Sequence, residues 1–530
     1  MLRTALSLLA LATLVAPSNA QGGYTKEVHA DIGITLPRAR DYEQIPTQPD
    51  EEHVVLYYAE KLPKDKKDAR ERRPELSVVW IEFVPDPPPK APEPVAPPEP
   101  DEAGRTRAEP KPKPEEAPEK PPVNSLQRFL EQRTYWELGK TEELKPRDGW
   151  KASLVALAPR GGLPIKHEGW AYVFEKPGQR TIAFLGECAK GDLGEQSRIW
   201  KYIAEHAEFS EPEGADVEKL KLKYIRSDLR GIDYRVKVRA KMVRGWKAED
   251  TENFIVLAHT NDQPLVRNLV ADIESIRKEY IRLFPSVKEI SAVSTVRVCK
   301  DRAEYMAYGG MPGSAGYWNS QTEELVFYDA QVKEKGKRSS GDENTFIVLY
   351  HEAFHQYIHY SAGELPPHSW FNEGHGDFFS GADVSGNKVR KIGVNPWRIH
   401  TIQRAIAENK FVPWKEIIAF EQPEYYRPDR VHICYAQGWS MIYFLRMSPV
   451  VAKHERWSKI LDTYFEALQQ DYSAQLALLE KQGRSKDEAA LRESGVAARK
   501  YALERAFQGV DLNELQGEWA SYVAKLELKK

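Results

Sequence analysis

The chain has 530 residues, 76 Lys and Arg against 79 Asp and Glu, and hydrophobic residues make up 41%. That length allows two or three domains with sizeable cores, and an aromatic content of 11% rules out a wholly disordered chain. A formal charge of −3 argues against a general nucleic-acid binder, and the three scattered cysteines, Cys188, Cys299 and Cys434, argue against a disulfide scaffold or a Cys-based zinc site.

The N-terminus reads Met1-Leu2-Arg3, then an apolar run from Ala5 to Val15, then small residues at Ser18 and Ala20. This is the pattern of a secretory signal peptide over residues 1–20, with cleavage after Ala20. The run is short of the roughly 20 residues a membrane span needs, and no later segment is long and apolar enough. The expectation is a secreted or periplasmic protein without a transmembrane span.

Strand-like runs follow at His53–Tyr58, Leu76–Val84, Ala152–Leu157, Trp170–Glu175 and Thr181–Leu185, rich in β-branched and aromatic residues. Residues 85–122 are dense in proline and almost free of large apolar side chains. They cannot offset the entropy of folding by burial and read as an extended, disordered spacer. Together these features predict a β-rich N-terminal domain over 21–246 with the Pro-rich stretch inserted in it. Near its end, Lys219, Lys221 and Lys223, then Arg235, Lys237, Arg239 and Lys241, alternate with apolar residues. A period of two would put the basic side chains on one sheet face, solvated or in contact with an anionic surface.

From residue 247 the texture changes. Phe254–Ala258 reads as a strand, and Leu265, Leu269, Ile273, Ile276, Tyr280 and Leu283 recur at helical spacing. Ile290–Cys299 and Leu325–Tyr328 read as strands, the second a candidate edge for pairing with an extended peptide. Nearly everything after Thr345 reads as helix. The pattern is an α+β domain over 247–530, a small mixed sheet followed by a mostly helical second half. Trp457, Ile460, Leu461 and Tyr464 give its C-terminal region an apolar face, expected to form the helical wall of a cleft.

Residues 345–360 read TFIVLYHEAFHQYIHY, with Asp342 or Asn344 available to cap the helix start. His351 and His355, four apart, project from one helix face and can reach one zinc ion. Glu352 lies beside them, where it can take a proton from a zinc-activated water. His359 lies one turn beyond, about 12 Å along the helix from His351, too far to share the metal with both. Downstream, Trp370–Phe379 reads WFNEGHGDFF. Glu373 can supply a third, oxygen ligand, and Asp377, four residues on, can accept the free ring N–H of a liganding histidine. Two His, one Glu and an open fourth position describe a catalytic rather than a structural zinc site.

HEAFH followed by WFNEGHGDF resembles the gluzincin metallopeptidases, the group of thermolysin and the aminopeptidase N-type enzymes, whose pattern is HExxH and then NExxxD. The resemblance implies His351, His355 and Glu373 as zinc ligands, Glu352 as base and Asp377 as the orienting carboxylate. Tyr435-Ala436-Gln437-Gly438 is similar to the Y-x-K-G helix of the aminopeptidases. By position Tyr435 inherits the role of oxyanion donor, with His432 as fallback donor and His375 as a further candidate. The G-x-M-E-N strand that holds a free amine in those enzymes is absent; Glu323 and Glu324 are the acidic residues nearest its place. The chain also resembles an exported, poorly characterised bacterial family with the same gluzincin core and an approach such as ENFIVLA (Glu252–Ala258). The implied function is an exported zinc metallopeptidase acting on a peptide or protein substrate. The alternatives are a catalytically silent, peptidase-like binding protein or a zinc hydrolase of a non-peptide substrate.

Overall fold

The computed structural model describes residues 23–61, 73–85, 121–163, 165–311, 313–330, 345–385 and 387–528. The predicted signal peptide, nearly all of the Pro-rich stretch, and the proposed caps Asp342 and Asn344 lie outside the described residues. The chain is mixed α and β, β-rich in its N-terminal half and helical in its C-terminal half.

The N-terminal half is built on a seven-stranded antiparallel sheet. Its spatial order is Tyr42–Ile45, Val54–Glu60, Glu75–Glu82, Arg180–Ala189, His167–Lys176, Trp150–Pro159 and Trp136–Arg147. Glu75–Glu82 pairs directly with Arg180–Ala189, from Glu75 opposite Glu187 to Glu82 opposite Arg180. Strands from both sides of the Pro-rich stretch thus share one sheet. Alternation decides which side chains face each way. Leu76 and Val78 go to one face, covered by Trp200, Ile203 and Ala204 of the helix Leu193–Glu205. Val79 and Ile81 go to the other, covered by Phe129 and Leu130 of the helix Leu126–Arg133. Tyr24–His29, Ile34–Ala39 and Glu208–Phe209 make a small second sheet.

The two basic alternating runs are helices, not strands: Val217–Leu222 and Ile232–Ala240. Asp216 caps the first, accepting from the Lys219 amide at 2.9 Å. In the second, Tyr234 and Val238 stand one turn apart and pack with Trp246 against Ile255, Leu257 and Val326. Helical periodicity therefore overrides the apparent period of two. Arg235 is fully buried, bonded to Asp250 and to the Phe254, Thr251 and Glu252 carbonyls. The basic residues do not form a common sheet face, so the predicted anionic-surface contact loses its structural basis.

A five-stranded sheet follows, in the order Lys247–Asp250, Phe254–Ala258, Ser294–Cys299, Glu324–Tyr328, Gly316–Asn319. The three inner strands are parallel to one another and the two outer ones antiparallel to their neighbours. Phe254–Ala258 and Ser294–Cys299 are buried at every position, as expected of parallel strands covered on both faces. Leu325–Tyr328 is thus an interior strand, and the edge belongs to Gly316–Asn319. Glu324 faces inward, bonded to Arg297 and Tyr308, and is unavailable to a substrate amine. The helices Gln263–Leu283 and Thr345–Ser361 share a core with this sheet and with the helices that follow. A hairpin, Ala382–Ser385 with Lys388–Ile392, interrupts the otherwise helical C-terminal half. Among the described residues no helix is long and apolar enough to cross a membrane.

Candidate metal centre

Three helices make the centre: Thr345–Ser361 with HEAFH, Ser369–Phe379 with NEGHGD, and Val431–Met447 with YAQG. Val348, Leu349, Phe354, Tyr357 and Ile358 bury the first helix in the main core. Two glycines of the second allow the close approach of its neighbours. A Cβ at Gly376 would lie 2.9 Å from the His351 ring, and one at Gly374 would lie 2.6 Å from the Gly438 carbonyl oxygen.

His351 and His355 face each other with ring centroids 4.6 Å apart. Their Nε2 atoms lie 3.1 and 3.5 Å from the same oxygen of Glu373, Oε2. One ligand atom from each of the three residues falls within 4.8 Å of the others. The outer ring nitrogens are held as well. His351 Nδ1 is 3.3 Å from Asp377 Oδ1, and His355 Nδ1 is 3.0 Å from Asn372 Oδ1. Carboxylate and amide oxygens only accept, so each Nδ1 carries a proton, and Nε2 is the nitrogen each ring turns toward Glu373 and would offer to a metal once deprotonated.

The Glu373 carboxylate calls for positive charge among these three side chains, which protons on the histidines or a cation can supply. Burial alone would lower the His351 pKa, but its hydrogen bonds to the Asp377 and Glu373 carboxylates outweigh that and hold it well above the imidazole range. Burial likewise opposes the charge of Glu373, yet the two histidines hold its pKa well below the carboxylate range. The donor set therefore fits a divalent cation of nitrogen–oxygen preference such as zinc.

Glu373 spends its other oxygen on Tyr426, whose hydroxyl donates to Oε1 at 2.6 Å. Glu352 accepts from the Trp318 backbone on the edge strand, and burial pushes its pKa up despite the two histidines. Tyr435 stands beside this group, its ring against Tyr425 and Tyr426 and under the Arg398 guanidinium. Arg398 donates to Asp377 Oδ2 at 2.7 Å, and Asn395 Nδ2 donates to the Asp377 carbonyl at 2.9 Å.

The structure thus brings together His351, His355, Glu373, Glu352, Asp377 and Tyr435. His375 is not among them. It is fully buried on the far side of its helix, with Nδ1 on the Phe371 carbonyl and the ring 4.8 Å from that of Phe284. His432 is exposed on the first turn of the Val431–Met447 helix. His359 packs near Trp318. Sequence reading missed Asn372 as the His355 anchor, although it lies inside the NExxxD motif. It also missed Tyr426, Arg398 and Asn395, which sit outside regular repeats and give no periodic signal.

A family model described as a protein of unknown function (DUF1570) matches residues 346–459, which contain His351, Glu352, His355, Glu373, Asp377, Arg398, Tyr426 and Tyr435. No curated protein matches the chain. Among solved structures, cyanobacterial PsbP (CyanoP) from Synechocystis sp. PCC 6803 is similar over 37% of this chain and 97% of its own, at 11% identity and a TM-score of 0.23. The Saccharomyces cerevisiae Ran-binding protein Mog1p is similar over 36% of this chain and 96% of its own, at 8% identity and a TM-score of 0.20.

Proposed function

We propose that the chain is an exported zinc-dependent peptidase. The observation that carries this reading is the convergence of His351, His355 and Glu373 within 4.8 Å, with the Glu352 carboxylate beside them and outside that ligand set. His351, His355 and Glu373 would hold a zinc ion, which would supply Lewis acidity and acidify a water there. Glu352, its basicity raised by burial, takes the proton of the attacking water and passes it to the leaving amine. Tyr435 donates its hydroxyl to the oxygen on which negative charge develops.

The edge strand Gly316–Asn319 supports a peptide as the substrate. It offers unpaired main-chain groups to an extended chain, and its Trp318 backbone already touches Glu352. Its last residue, Asn319, turns its side-chain oxygen back onto the Gln321 and Thr322 amides. Glu324, on the neighbouring strand, is buried in its ion pair with Arg297 and does not match the amine-holding glutamate of aminopeptidases. Internal cleavage is the reading this favours. Export rests on the signal-peptide pattern of residues 1–20.

The test is cleavage of a mixed peptide library by the zinc-loaded chain and by Glu352→Gln. The proposal expects internal cuts by the wild type and a loss of at least about 100-fold in the variant. Cleavage unaffected by the substitution contradicts it. Zinc binding by both with cleavage by neither points to the silent or non-peptide alternatives.

A further inference from the structure

Asp377 orients His351, and Tyr435 is the proposed oxyanion donor, yet the two lie on different helices and share no hydrogen bond. One side chain touches both. Arg398 comes from the turn ahead of the helix Ile399–Ala407. Its Nε donates to Asp377 Oδ2 at 2.7 Å, and its Cζ lies 4.8 Å from the centre of the Tyr435 ring.

The turn that carries Arg398 is itself fixed. Asn395 is fully buried; its side chain reaches the Asp377 carbonyl and caps the Trp397 amide, and its own carbonyl accepts from the Arg398 amide. The side chain therefore approaches Asp377 from a backbone anchored to the same residue.

Asp377 is nearly sealed from solvent, with its side chain 2% exposed. Burying a carboxylate this deeply is costly without a paired cation and directed hydrogen bonds. Arg398 supplies both on Oδ2, which leaves Oδ1 turned to His351 Nδ1. On the other side the hydroxyl of Tyr435 bonds to none of the described residues, so its aim depends on ring packing alone. The Arg398 guanidinium covers that ring from one direction, with Tyr425 and Tyr426 against it from others. A flat cation can satisfy a carboxylate at its edge and brace an aromatic ring with its face.

We infer that Arg398 is a positioning residue that couples the two halves of the centre, setting metal affinity through Asp377 and His351 and oxyanion binding through Tyr435. This rests on the metal-centre reading above and goes beyond it by assigning both controls to one side chain outside the ligand set.

The experiment uses the full chain and two probes, zinc alone and acetohydroxamic acid on the zinc-loaded protein. Zinc affinity is read by chelator competition for wild type, Arg398→Gln, Arg398→Lys, Asp377→Asn and the double variant Arg398→Gln/Asp377→Asn. Arg398→Gln is expected to weaken zinc by about 10–100-fold, the usual effect of removing an outer partner of a metal ligand. The double variant is expected to be no weaker than Asp377→Asn, because the two act through one contact. Arg398→Lys keeps the charge and is expected to recover most of the zinc affinity. A lysine bonded to Asp377 has no planar group left to lie over the ring, so hydroxamate binding to Arg398→Lys is expected to stay as weak as that of Tyr435→Phe.

A merely structural role would move both readouts together or neither. The inference is overturned if Arg398→Gln folds and binds zinc as wild type does. It is also overturned if its effect adds in full to that of Asp377→Asn, or if Arg398→Lys restores both readouts. Should Arg398→Gln not fold, the split shown by Arg398→Lys decides. A wild type that binds no zinc removes the metal-centre reading itself, a failure seen before any variant is compared.

Discussion

Glu373 has two oxygens with two different tasks. Oε2 faces both histidines, and Oε1 is taken by the Tyr426 hydroxyl at 2.6 Å. The tyrosine thereby keeps the carboxylate plane from rotating and would leave Oε2 as the oxygen offered to the proposed zinc. Tyr426→Phe is expected to weaken zinc by roughly tenfold without unfolding the chain, measured by chelator competition beside a thermal melt; an unchanged affinity contradicts this role. At this scale the sequence showed whatever repeats with a helical turn. HExxH and NExxxD are spacings of four, and those side chains meet. His375 failed for the same reason: two residues on from Glu373 is about 200° round the helix, which turns it toward Phe284. Tyr426 and Arg398 reach the centre from turns, where spacing carries no directional information.

The helices depend on small residues where they cross. Gly374 admits the Gly438 carbonyl at a distance where a Cβ would stand 2.6 Å from that oxygen. Backbone cannot yield as a flexible side chain can. Gly374→Ala is expected to destabilise the chain by about 1–3 kcal/mol, read as a lower urea midpoint, and to loosen zinc because Glu373 is its neighbour. A midpoint and an affinity both equal to wild type contradict the crossing as described. Strands flanked by clear turn residues, such as those within 150–189, could be placed from the sequence. The helices at 217–222 and 232–240 could not, because short amphipathic helices with alternating charge satisfy both periods over so few residues. The identity of the edge strand was equally hidden. Strand order is set by which elements cover the sheet, and nothing local to Leu325 or Gly316 encodes it.

Across the whole molecule, ionic contacts tie the sheets together. Lys300 and Arg73 both hold Glu43, joining the strand at Tyr42–Ile45 to the end of the strand Ser294–Cys299. Glu27 joins the small sheet to the large one, bonded to Arg38 at 2.6 Å and accepting from Tyr58 at 3.1 Å. Burial opposes its charge, but contacts with His29, Arg38 and Tyr58 bring its pKa down from 4.5 to about 2. A depressed carboxylate adds stability that is complete above its unfolded pKa and is lost as the pH falls through the folded one. Glu27→Gln is therefore expected to cost about 2–3 kcal/mol at neutral pH. The gap from wild type should close between about pH 4.5 and 2, followed by denaturant melts across that range. A gap that persists at the acid end contradicts the ionic origin. The order of a β-rich half followed by a helical half was legible from periodicity alone. The ties between sheets were not, since each joins residues far apart in the chain.

The most direct measurement of the central claim is a zinc titration of the full chain, run beside His355→Gln, Glu373→Gln and Glu352→Gln. The account predicts a single tight zinc in the wild type, a large loss of affinity in the first two variants, and retention in Glu352→Gln, whose carboxylate serves the water and not the metal. No tight zinc in the wild type, or wild-type affinity retained in His355→Gln or in Glu373→Gln, would contradict it.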